Sequence, residues 1–157
     1  MGIFNRIKKV FSKTPAQKVD PNWKAPKVDF TGSSFSEVEQ KRLLTCNQDL
    51  IQLMLEVDRI YPIFIICGHR NKADQEAAVA RGASKLHFPF SKHNGLPSMA
   101  VDIAPNEDLN DKTLDWNDVE EFKRMCSIVE LKAKELGIKI RLGRDFSFKD
   151  YPHVELV

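Results

Sequence analysis

At 157 residues and 42% hydrophobic content, the chain has room for one domain with an ordinary core and little else. Its 24 Lys and Arg against 22 Asp and Glu leave a net charge of +2, too nearly balanced to argue for a nucleic-acid partner. No apolar run approaches the ~20 residues of a membrane span, and three scattered cysteines (Cys46, Cys67, Cys126) without a Cys-x-x-Cys pair argue against a thiolate zinc site and read as buried thiols of a protein made in a reducing cytosol.

Met1 to Lys13 sets Ile3, Phe4, Ile7, Val10 and Phe11 at helical spacing among Arg6, Lys8, Lys9 and Lys13. The apolar residues are interrupted too often for a signal-peptide core, and Arg6 stands where a myristoylation motif needs Ser or Thr. Such a basic amphipathic leader could make weak contact with an anionic membrane, although a loosely held arm is the commoner state of a terminus. Ser12 to Phe35, with Pro15, Pro21, Pro26 and Gly32, reads as a linker or extended arm. Residues 1–35 are therefore expected to be leader and linker, and residues 36–157 the folded domain.

Ser36-x-x-Glu39 makes a capping box, and behind it Leu43, Leu50, Met54 and Val57 recur at helical intervals. Ile63-Phe64-Ile65-Ile66-Cys67 is a β-branched apolar run and reads as a buried strand ending at Gly68-His69-Arg70. Asn71 can cap a second helix through about Arg81, which Gly82 can end. Ser84 to Ser98 is a long loop rich in Pro, Gly, Ser and Asn, and loops of that length are usually functional or disordered. Met99 to Ala104 predicts a strand. Asp115 or a neighbour caps a third helix carrying Val119, Phe122, Cys126, Val129, Ala133 and Leu136, with Gly137 as its stop. Ile138, Ile140 and Leu142 alternate with Lys139 and Arg141 in a half-buried strand, and a last strand begins near His153. Elements mixed without strict βαβ alternation predict an α+β fold, with helices packed around a small antiparallel sheet.

The chemistry concentrates in three short segments. Ser91-Lys92-His93, Ala100-Val101-Asp102 and Asp150-Tyr151-Pro152-His153 carry two histidines and two aspartates in segments with strand or turn character. Zinc accepts imidazole nitrogen and carboxylate oxygen, and a catalytic site keeps three protein ligands plus water. His93, Asp102 and His153 would supply those ligands and Asp150 a base beside the water. Taken singly, a histidine at a strand start is more often a structural residue; the combination in this order is what points to a metal.

These segments resemble the zinc peptidases that comprise the D-alanyl-D-alanine dipeptidases and carboxypeptidases and the L-alanyl-D-glutamate endopeptidases of phage endolysins. That family carries Ser-x-His, then Gly-x-Ala-x-Asp, then Glu or Asp-x-x-His. Cys67-Gly68-His69-Arg70 is similar to its Gly-Tyr-Arg segment, and Gly143-Arg144-Asp145-Phe146 to its Gly-Gly-Asp-aromatic turn. The likeness covers about Phe35 to Val157, and Asp at position 150 with the compact size resembles the phage endolysin branch most. The sequence departs from the pattern at Ser98 and Arg144, which stand for glycines, and at the His93–Asp102 interval of nine residues, longer than the common form. Gly95-Leu96-Pro97 reads as the added loop.

The resemblance implies a zinc site in a cleft on the sheet, with His93, Asp102 and His153 as metal ligands. It implies Asp150 as the group that moves protons, and Arg70 as a stabiliser of the developing oxyanion or a clamp on a substrate carboxylate. Ser91 could bind peptide or cap a turn, and Glu155 could orient His153. His69 lines the cleft, His87 is a weaker ligand candidate, and Asp145 is a turn residue. Lys92 and Lys149 are solvated charges that could attract an acidic stem peptide. The expected activity is hydrolysis of the L-Ala–D-Glu bond of the peptidoglycan stem peptide by a monomer that acts on the cell wall after release from the cytoplasm. A D-Ala-D-Ala carboxypeptidase or dipeptidase is the alternative within the same chemistry. A non-catalytic wall-binding or virion module is the alternative from another class.

Overall fold

The computed structural model describes residues 14–107 and 113–157. The basic leader, and with it the expected membrane contact of residues 1–13, lies outside the described residues. No described helix is long and apolar enough to cross a membrane.

Helix α1 spans Glu37–Leu43 and opens on the predicted capping box. Ser36 and Glu39 satisfy each other's backbone amides. The other oxygen of Glu39 accepts from the Ile65 amide at 2.9 Å, which ties the cap to the sheet. The apolar periodicity that reads as one helix is divided: the chain leaves helix at Thr45 and Cys46, and Asn47 caps a new helix, α2, over Gln48–Asp58. The break has a cause. Ser98 donates its amide to Thr45 and Asn47 donates to the Ser98 carbonyl, both at 2.8 Å, so the backbone at 45–47 binds the loop that follows the candidate ligand His93.

Strand β1 is Ile63–Cys67, helix α3 Lys72–Ala80, strand β2 Ala100–Pro105, helix α4 Val119–Leu136, strand β3 Ile140–Leu142 and strand β4 His153–Leu156. Asp118 caps α4, and Gly137 ends it at φ +70, a left-handed conformation that a residue without Cβ enters freely. The four strands form one antiparallel sheet in the order β1-β2-β4-β3. The α+β architecture expected from the sequence is the one observed. Helices α2 and α4 pack together against the sheet, enclosing Leu50, Met54, Val57, Ile63, Ile65, Ile103, Met125 and Val129. Every residue of β2 is buried, including Asp102.

Residues 14–35 lie on the domain. Leu96 donates to the Lys18 carbonyl and accepts from the Asp20 amide, and the Gln17 amide donates to Pro89. Phe35 is buried, and Val28 and Phe30 pack against the same core. The carboxylate of buried Asp58 accepts from the Ser34 amide and hydroxyl and from the Ile63 amide, fixing the end of the arm to the start of the sheet.

Candidate metal centre

Sheet register assembles most of the site. Cys67 on β1 faces Asp102 on β2, and Asp102 faces His153 on β4. Directly opposed residues point to the same face of a sheet, so these three form one row across adjacent strands. A bulge between Ile65 and Cys67 brings Cys67 into that row. His93 is supplied from the long loop by a short 3-10 turn, Lys92–Asn94. Ser91 and Asn94 cap the turn reciprocally, and Asn94 also donates to the Arg70 carbonyl and the Gln75 side chain. These bonds fix the turn that carries His93 to the strand end at Arg70 and to α3.

Three atoms converge. His93 Nε2 is 3.1 Å from Asp102 Oδ1 and 3.2 Å from His153 Nδ1, and His153 Nδ1 is 3.2 Å from Asp102 Oδ1. The far side of each ring explains what these atoms are. His93 Nδ1 is 2.7 Å from the Gly68 carbonyl, which can only accept, so that nitrogen carries a hydrogen. His153 Nε2 is 2.9 Å from the Glu155 carboxylate, again an acceptor. In the neutral rings the two inner nitrogens therefore present lone pairs to each other and to a carboxylate oxygen. That triangle is repulsive unless a cation, a proton or a metal, stands within it. Donors bound tetrahedrally to zinc at 2.0–2.2 Å stand about 3.3–3.6 Å apart, close to the observed triangle.

The titration behaviour states the same demand in protons. Burial opposes charging His93, but the Asp102 carboxylate outweighs it and lifts the imidazole to about 10. His153 is opposed by burial and raised by its bonds to Asp102 and Glu155. Asp102 is penalised by burial, yet the His93 charge and the bonds from both histidines hold it far below the usual carboxylate range. Glu155, also opposed by burial, is lowered by His153.

Cys67 is the residue that sequence reading missed. Its sulfur, a His93 nitrogen and an Asp102 oxygen lie within 4.8 Å of one another and form a group able to hold a metal. Unlike Cys46 and Cys126, which are buried, Cys67 is only partly buried and faces the site. Burial pushes its thiol up, but the hydrogen bond and charge of His93, with Arg70, bring it below the ordinary value. The His93–Asp102–His153 triangle is the tighter set, with every edge near 3.2 Å. The signal for Cys67 is pairing register, which the apolar run 63–67 conceals.

Asp150 sits in the turn before β4. Its amide donates to the Gly143 carbonyl at 3.0 Å, and its own carbonyl accepts from the His153 amide at 3.1 Å. Gly143 permits this closeness: a Cβ there would stand 2.0 Å from the Asp150 carbonyl oxygen and 2.9 Å from the His153 Cβ. Burial and then the charge of Asp102 raise the Asp150 carboxyl above its ordinary value, with His153, His93 and Arg70 opposing. Asp150, Arg70, Ser91, His93, Asp102 and His153 all line one cleft of about 520 Å³ on the sheet.

The remaining predicted residues are placed as follows. Arg70 Nη2 donates to Asp102 Oδ2 at 2.6 Å, so it holds the carboxylate oxygen that the histidines do not use. The Ser91 hydroxyl accepts from the His93 amide as a turn cap. Glu155 bonds His153 Nε2 at 2.9 Å, a contact its position two residues along the strand allows. His69 bonds the Gly95 carbonyl, and exposed His87 pairs with Glu76 away from the triangle.

The family model described as phage L-alanyl-D-glutamate peptidase matches residues 31–157. The L-alanyl-D-glutamate peptidase of Escherichia phage T5 is 33% identical over 124 residues, 78% of this chain and 88% of that protein. The crystal structure of the Serratia marcescens L-Ala D-Glu endopeptidase ChiX superposes with a TM-score of 0.65 at 25% identity, covering 78% of this chain and 89% of that one. With a family model spanning most of its length and the T5 relative beside it, this chain belongs to the phage L-alanyl-D-glutamate peptidase family.

Proposed function

We propose that this protein is a zinc-dependent endopeptidase that hydrolyses the L-Ala–D-Glu bond of the peptidoglycan stem peptide, with His93, Asp102 and His153 as metal ligands. The observation that carries the reading is the triangle of two imidazole nitrogens and one carboxylate oxygen, each ring oriented from behind by an acceptor. Two imidazoles and a carboxylate suit zinc with one position open. The same donors serve non-haem iron oxygenases, and membership of a peptidase family turns the reading toward hydrolysis.

His93, Asp102 and His153 would hold the zinc, which would acidify a water to a pKa of about 7 and polarise the scissile carbonyl. The chain's own residues do the rest. Asp150 accepts the proton of the attacking water and returns it to the leaving amine of D-Glu. Its raised carboxyl suits both halves of that cycle. Arg70 orients Asp102 through the 2.6 Å ion pair and itself lines the cleft, where a developing oxyanion or substrate carboxylate would sit. Gly68 and Glu155 hold the ring hydrogens outward so that the inner nitrogens stay free to donate their lone pairs.

The test is digestion of purified peptidoglycan with metal analysis of the protein. New N-terminal D-Glu on the muropeptides, lost with chelator and restored by zinc, is the expected result. Released D-Ala would instead assign the carboxypeptidase reaction, and wall binding without cleavage would assign a non-catalytic module.

A further inference from the structure

An aromatic path leaves the metal centre in one direction. The Phe146 ring lies 5.5 Å from the ring of His153, and the Phe148 ring lies 5.8 Å beyond Phe146. Arg141 covers Phe146 at 4.4 Å from its centroid. Phe148 is 47% exposed at the cleft wall, where Lys85 brings its ammonium to 5.9 Å from the ring centroid. Exposure alone is ordinary for a single apolar side chain, but Phe148 stands on the cleft wall and continues the aromatic row from His153, which is where a ligand would meet it.

The chemistry of the substrate selects the occupant. Resting on the peptidase reading above, the cleft must take a stem of L-Ala, D-Glu, a diamino acid and D-Ala. These residues offer methyl groups, carboxylates and an amine, and none has a broad apolar face. The N-acetylated amino sugar does: the axial C–H groups of a pyranose make a flat face that suits the negative face of an aromatic ring. Its hydroxyl and acetamido oxygens can accept from a nearby ammonium. Reach agrees as well. The lactyl group and L-Ala between the sugar and the scissile carbonyl span roughly two residue lengths, about 7 Å. Phe146 and Phe148 extend the cleft wall over a comparable length, with ring centroids 5.5 Å from His153 and then a further 5.8 Å apart.

We propose that Phe148, with Lys85, forms a subsite for the lactyl-bearing amino sugar of the glycan strand, on the L-Ala side of the scissile bond. The enzyme then reads the junction of glycan and stem, not the stem alone. Phe148 is the residue to alter, because Phe146 touches His153 and its removal would disturb the metal centre.

The test compares two soluble substrates with the same stem peptide, one carrying N-acetylmuramic acid on L-Ala and one carrying only an acetyl group. Phe148→Ala in the zinc-loaded protein should lower kcat/KM for the sugar-bearing substrate by roughly three- to tenfold more than for the acetylated one, and Phe148→Trp should restore the difference. Equal loss on both substrates, or no loss on either, overturns the subsite. If the parent protein cleaves neither, the peptidase reading has failed, and saturation-transfer NMR with the sugar-bearing peptide decides the subsite separately. Transfer to the sugar-ring protons that disappears in Phe148→Ala supports it; transfer to the peptide alone, or none, overturns it.

Discussion

Gly143 offers the sharpest probe of how the proposed base Asp150 and the proposed ligand His153 are held together. An added Cβ would lie 2.0 Å from the Asp150 carbonyl oxygen, whereas real Cβ contacts essentially never fall below 3.0 Å. The carbonyl must therefore retreat by about 1 Å. That same carbonyl accepts from the His153 amide, and the His153 Cβ is itself 2.9 Å from the added atom. The displacement thus passes to the proposed base and a proposed ligand at once. A misplacement of about 1 Å at reacting groups can cost about 100-fold, and overpacking of this kind costs about 1–3 kcal/mol of stability. Gly143→Ala is expected to fold with a lowered Tm, to lose about two orders of magnitude in kcat/KM on muropeptides, and to bind zinc more weakly by competition titration. Gly137→Ala is the control. Its φ of +70 imposes backbone strain of about 1–2 kcal/mol, but nothing lies within 4 Å of the added Cβ and Gly137 does not line the cleft. Parent-level hydrolysis by Gly143→Ala, or an equal loss in Gly137→Ala, would refute the argument that close packing at 143 sets the geometry.

Asp150→Asn should retain stoichiometric zinc while kcat falls by about 100- to 10,000-fold; an active variant would remove Asp150 from proton transfer. Glu155→Gln, which exchanges the carboxylate behind His153 for a neutral amide, should weaken zinc binding by about 10- to 100-fold in a competition assay, and unchanged affinity would deny it an orienting role. The metal-free protein should show a stability window. His93 has its pKa raised on folding, so its contribution is fully present below its unfolded value near 6.5 and is lost as pH rises through about 10. Asp102 is lowered, so its contribution is present above the usual carboxylate range and is lost as pH falls below it. Thermal melts of chelated protein should therefore decline from neutral toward pH 10, while the zinc-loaded protein resists that decline because zinc takes the place of the proton. A flat alkaline limb without metal would contradict the proton-filled triangle.

The local signals in the chain were sufficient for most of the elements and for the residues of the triangle. The Ser36–Glu39 box, the β-branched run 63–67, the alternation at 138–142 and the stop at Gly137 each act over a few residues, and each appears where its chemistry places it. His93, Asp102 and His153 were legible because three motifs occurred in a family's order, and Asp150 because it precedes a histidine by three. What stayed hidden was pairing across distance. The division of α1 from α2 depends on Ser98, more than fifty residues away in sequence, taking backbone bonds at 45–47. Cys67 looked like core because register, set by a bulge and by β2, is invisible within a five-residue run. Arg70 carried no sign that it would spend a donor on Asp102. The identity of the donors was thus written in the chain by residue type and order. Their convergence to a triangle near 3.2 Å was decided only by strand register, the capped turn at 92–94 and the missing Cβ at Gly143, because those contacts join segments that sequence alone keeps far apart.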